Sequence, residues 1–151
     1  MNTEKSILVL NNLIEINNDR IEIYKTASKV IEENDLKDLF FEFQKTSTIF
    51  KSELVQQVHK MGGTPIDTIK NNGLFLRIWM NFKSILIEKG KEDLLNTLEY
   101  NEFVAINSYK NSLSDNLENL TGELHSMLKS QQLLLTAHHD KVKKLGDLML
   151  S

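Results

Sequence analysis

The chain has 151 residues, with 18 lysines and arginines against 21 aspartates and glutamates. The resulting net charge of −3 argues against electrostatic nucleic-acid binding, which needs a basic excess on one face. One proline and six glycines are too few for the turns of an all-β chain, and zero cysteines remove disulfides, thiol catalysis and thiolate metal sites together. No run approaches the ~18 apolar residues of a membrane span, and the N-terminal apolar run is broken at Asn11 and Asn12 without a cleavage pattern. The expectation is a cytoplasmic protein forming one domain over residues 1–151.

The first stretch, about Thr3 to Glu33, repeats its seam at steps of three and four. Ile7, Leu10, Ile14, Asn17, Ile21, Tyr24, Ser28 and Ile31 share a face, with Leu13 alongside. Asn17 stands in its centre, and Glu15, Asp19 and Glu22 are assigned to water. Asn34-Asp35 makes the break, with Asp35 as N-cap of the second helix. So short a link makes that helix an antiparallel neighbour. It spans about Leu36 to Met61 and buries Leu36, Leu39, Phe43, Ser47, Phe50, Leu54 and Met61. Thr46, Glu53 and Gln57 lie on the edge of the stripe and His59 faces water. Gly62-Gly63 supplies a left-handed cap, and Pro65 confirms the stop.

A long connection comes next, Thr64 to Gly90, with a short amphipathic helix at about Gly73 to Lys89. Its apolar face is Phe75, Ile78, Trp79, Phe82, Ile85 and Leu86. The spacing fits a strap across a bundle better than a membrane-surface helix. The third long helix, Leu94 to Leu113, aligns Leu95, Leu98, Glu102, Ala105, Ile106, Tyr109 and Leu113, so an acid stands inside an apolar seam. An unpartnered buried carboxylate costs several kcal/mol, so Glu102 needs a proton, a hydrogen-bond donor or a cation. Ser114-Asp115-Asn116 turns the chain, and Asp115 with Glu118 has the spacing of a capping box. The last helix runs to about Leu148 with Leu117, Leu120, Leu124, Met127, Leu128, Gln131, Leu135, His138, Val142 and Leu145 inward.

Two short hairpins joined by one long crossover is the ferritin-like order of an all-α four-helix bundle. Fold-back at residues 34–35 sets Asn17 level with Glu53, and fold-back near Asp115 sets Glu102 level with Gln131. The expectation is one polar layer of Asn17, Glu53, Glu102 and Gln131. Tyr24, Thr46 and His138 lie about two turns above it, with Tyr109 and Gln57 below.

With those residues placed, the chain resembles a family of uncharacterised bacterial ferritin-like four-helix-bundle proteins, a domain of unknown function. The resemblance rests on LNNLIEINNDRIEIYKTA in helix 1, KMGGTP closing helix 2, Trp79, LEYNE at 98–102 and AHHDKV at 137–142. It implies the ferritin-like fold and no established activity. The family's His-Asp matches His139-Asp140; His139 lies on the flank beside inward-facing His138, and Asp140 faces solvent.

Ferritin-like di-iron proteins place a Glu on each of two helices and a Glu-x-x-His on each of the other two. Here helix 1 offers Asn17, helix 2 offers Glu53 with Gln56 at the third step, helix 3 offers Glu102 with Glu99 one turn earlier, and helix 4 offers Gln131 with Leu134. Two carboxylates without imidazole leave two divalent ions under-coordinated. The expectation is a non-catalytic protein with no cofactor and a hydrogen-bonded layer that fixes register. Its structural, stress-associated or interaction role is not specified by the residues. The alternative is a metal-binding protein with a reduced carboxylate site for iron or manganese redox or storage chemistry, its candidate ligands Glu53, Glu99, Glu102 and His138, or a single iron or manganese ion held by oxygens of Glu53, Glu102 and Asn17. A homo-oligomer along helices 1 and 2 is a further expectation, through Ile23, Phe41, Ile49 and Val104.

Overall fold

The computed structural model describes residues 3–67 and 74–150, without the side chains of 74–89, 91, 117, 149 and 150. The described backbone is helical: α1 Thr3–Val30, α2 Asn34–Lys60, α3 Leu74–Asp115 and α4 Gly122–Leu150, with a single 3₁₀ turn at Leu117–Asn119. Gly90 interrupts α3 with φ 88° and ψ 179°, a combination open essentially to glycine alone. The apolar face expected for the segment 73–89 lies outside the described residues. Among the described residues no helix is long and apolar enough to cross a membrane.

α1 and α2 form an antiparallel hairpin through Ile31–Glu33. The seam of α1 is Leu10, Leu13, Asn17, Arg20, Tyr24, Ala27 and Ile31, every one buried and strictly alternating by three and four. Ile7 and Ile21, expected in that seam, are only half-buried. Burial also runs right round the middle of the helix, from Ile16 to Arg20. Asp19 is therefore buried and not turned to water, and Ile23, at 2% exposure, is not a surface residue. The seam of α2 is Leu36, Phe40, Phe43, Ser47, Phe50, Leu54 and Val58. Phe40, three residues before Phe43, and Val58, four after Leu54, take the places expected for Leu39 and Met61, which are half-buried.

Glu33, in extended conformation, is the N-cap of α2, and Asp35 lies inside the first turn, where its charge complements the helix dipole. At the other end, Gly62 N donates to His59 O and Gly63 N to Val58 O, each at 3.0 Å, satisfying the last carbonyls. Gly62 holds φ 79°, the left-handed cap expected of it. Gly63 has a different reason to be glycine: a Cβ there would stand 2.9 Å from Ile7 Cδ1 and 3.1 Å from Val58 Cγ1. Asn11 then clamps the outgoing chain, its Nδ2 donating to Thr64 O (3.1 Å) and its Oδ1 accepting from Ile66 N (3.0 Å).

α3 and α4 form the second hairpin. The link is longer than expected: α3 runs to Asp115, and α4 is capped by Thr121, whose Oγ1 accepts from Leu124 N at 3.2 Å. The capping box expected at Asp115 and Glu118 is thereby corrected. Those residues end α3 and enter the 3₁₀ turn.

The crowding at Gly63 makes a test of the first hairpin. Gly63→Ala is expected to cost about 1–3 kcal/mol in urea unfolding, and Ile7→Val in that background, which removes Cδ1, should recover part of the loss. Thr121→Ala should remove about 1 kcal/mol by losing the cap.

Candidate functional site

Ser47 and the rings of Tyr24 and Phe43 gather round Arg20, which is 3% exposed. Guanidinium keeps its charge at any working pH, and burying an ion costs several kcal/mol unless polar groups receive it. Within the hairpin its Nη1 donates to Ser47 Oγ. Its Cζ lies 5.4 Å from the centre of the Tyr24 ring and 5.9 Å from that of Phe43, both cation–π distances. Tyr24 is fixed in turn, edge-on to Phe43 (5.0 Å, 77°) and tilted against Phe40 (5.4 Å, 37°). One turn before Arg20, Asn17 donates from Nδ2 to the Leu13 carbonyl at 2.9 Å.

Arg20–Ser47 and Tyr24–Phe43 also set the register. They bring Asn17 opposite a position about one turn short of Glu53, and Glu53 is exposed. Glu53 thus lies outside the expected layer, and Gln57 is half-buried.

In the second hairpin Tyr109 Oη donates to Gln131 Oε1 at 2.6 Å, both buried. Gln131 therefore sits level with Tyr109 and not with Glu102, which is two turns, about 10 Å, away along α3. The contact of Glu99 with His139 (3.4 Å) and the approach of Leu95 to Gly146 give the same register. The longer link explains the shift: α4 begins about two turns later than a fold-back at Asp115 requires. The consequence is that Glu102 and His138, each 1% exposed, stand at nearly one level, where two turns were expected to separate them.

His139 is on the flank, between Glu99 and Asp140 Oδ1 (3.5 Å), which joins α4 to α3 across a partly exposed surface. Asp140 is exposed, as expected. Among the described residues no three or more of His, Asp and Glu are grouped so as to hold a metal ion.

Arg20 was missed in the sequence because the seam was drawn through Ile7, Ile14 and Ile21. The strict series through Leu10, Leu13, Asn17 and Tyr24 contains it. Asn101 was missed as well: it is 5% exposed, and among the described residues neither of its amide atoms has a hydrogen-bond partner.

Residues 5–115 match the model of a family described as Domain of unknown function (DUF2383). A comparison with curated proteins finds no match. Among solved structures the chain is similar to one described as ferritin like, diiron-carboxylate proteins from Bacillus anthracis str. Ames. The two share 16% identity at a TM-score of 0.77, over 96% of this chain and 99% of that one. The likeness shows the fold, an all-α, ferritin-like four-helix bundle with hairpins α1–α2 and α3–α4.

Two substitutions separate satisfied from unsatisfied polar burial. Tyr109→Phe, which takes the donor from Gln131, is expected to cost about 1–3 kcal/mol. Asn101→Leu, which removes an amide that has no partner among the described residues, should leave chemical stability unchanged or raise it.

Proposed function

This chain belongs to that domain-of-unknown-function family, and from its residues we propose a non-catalytic ferritin-like protein with a structural, stress-associated or interaction role. In this reading the buried polar groups fix helix register and bind no pair of irons. The observation that carries it is Arg20. A dication within about 5 Å of that guanidinium would be repelled by about 7 kcal/mol at an effective dielectric of ~20. At the two positions where the first hairpin would supply glutamates, Asn17 replaces one, and Glu53 is exposed. That donor set does not fit a di-iron centre, which asks for a carboxylate from every helix and two histidines. The link between the hairpins is read as a crossover with a short helix of its own, ended at Gly90. Self-association through Phe41 and Ile49, both exposed on α2, belongs to the same reading. Ile23 is buried and Val104 half-buried, so neither contributes to it.

One observation favours a second reading. Glu102 and His138 share a level inside the second hairpin, with Glu99 one turn from Glu102. A single iron or manganese ion would find two buried donors there, fewer than such ions take from a protein site, and Glu99 is already turned to His139.

Metal analysis of protein purified without chelator separates the two. The expected result is substoichiometric iron and manganese, before and after incubation with Fe(II) or Mn(II). Stoichiometric metal that is lost in Glu102→Gln would overturn the first reading in favour of the second.

A further inference from the structure

The second hairpin carries a groove of about 230 Å³ near its link, lined by Lys110, Leu113 and Ser114 of α3 and by His125, Lys129 and Gln132 of α4. That volume lies below the roughly 300–1,000 Å³ of pockets that take drug-sized ligands, so it suits an ion-sized guest. The register set by Tyr109 and Gln131 places Lys110 across from Lys129 and, one turn nearer the link, Ser114 across from His125. On each helix the two polar groups are four residues apart and so share a face.

Two like charges lining one groove repel, and none of the lining residues is an acid. Among the described residues neither Lys110 nor Lys129 is in an ion pair. The Lys129 ammonium is nonetheless held in place. It donates to Gln132 Oε1 at 3.2 Å, and Gln132, itself buried, donates from Nε2 to Thr136 Oγ1 at 3.1 Å. Thr136 is anchored by its own bond to the Gln132 carbonyl. A glutamine fixed in this way presents a cation toward the groove. Ser114 also lines the groove, with its one hydroxyl proton shared within the chain between Asn111 O at 3.4 Å and Asp115 Oδ1 at 3.3 Å. Asp115 is exposed and does not line the groove. The first turn of α4, capped by Thr121, adds the positive end of a helix dipole beside His125.

We propose that this groove binds a small dianionic oxyanion of the phosphate class, either free phosphate or the phosphoryl group of a small phosphomonoester. Two lysines supply the charge, and an imidazole N–H of His125 supplies a directed hydrogen bond. The site lies on one hairpin and stands whether or not the core holds a metal.

The test is an NMR titration of the full chain with inorganic phosphate, ionic strength held constant with chloride. Saturable shifts confined to the amides of residues 110–114 and 125–132 are expected. In Lys110→Gln/Lys129→Gln, both surface changes, the apparent Kd should rise about tenfold or more with an unchanged circular dichroism spectrum. Glycerol phosphate saturating at lower concentration than inorganic phosphate would assign the site to a phosphomonoester, and the reverse to free phosphate. The absence of saturable shifts at millimolar phosphate, or equal binding by the double variant, would overturn the proposal.

Discussion

A guanidinium enclosed in the first hairpin is the constraint that organises the residues around it. Arginine cannot shed its charge to suit an apolar setting, so its neighbours must supply electron density. Tyr24 and Phe43 offer ring faces, and Ser47 offers an oxygen where the seam of α2 would otherwise take a large apolar side chain. Phe40 holds Tyr24 in its tilt. These contacts pin α2 to one register on α1, because a slip by one residue would turn Ser47 and Phe43 away together. They also place a permanent positive charge one turn from Asn17, the position from which a ferritin-like metal site would draw its first ligand.

The second hairpin solves its polar burial differently. Tyr109 and Gln131 satisfy each other as neutral partners at 2.6 Å, an arrangement that costs less desolvation than an ion pair. Its contact between Glu99 and His139 is left partly open to solvent, where such pairs contribute little to stability. Glu102 and His138 are the residues of this hairpin that keep metal-ligand chemistry within reach of the core. With Asn17 and Arg20 on α1, the inventory is one of hydrogen bonding and fixed charge.

Much of the fold was legible in the sequence, because three-and-four spacing, Gly62-Gly63 and the short link before α2 are strong local signals. The burial of Glu102, Asn17, Tyr24, Tyr109, Gln131 and His138 came from that spacing alone. Heights were read less well. They depend on where the chain folds back, and capping chemistry at Asp115 and Glu118 imitated a helix start that Thr121 in fact supplies. A displaced fold-back moved Gln131 two turns from Glu102 and brought His138 close to its level. Glu53 failed for a related reason, since an edge position reads as inward or outward according to a small rotation of α2. Arg20 was hidden by its own chemistry: a charged residue is assigned to solvent by default, although the seam through Asn17 and Tyr24 passes through it.

Equilibrium urea unfolding of Arg20→Gln is the sharpest probe of the enclosed cation. The substitution keeps a polar side chain of similar reach and removes the charge that Tyr24, Phe43 and Ser47 are arranged to receive. A loss of roughly 2–4 kcal/mol is expected, with no gain in bound metal. An unchanged midpoint would contradict the view that the guanidinium holds the first hairpin in register.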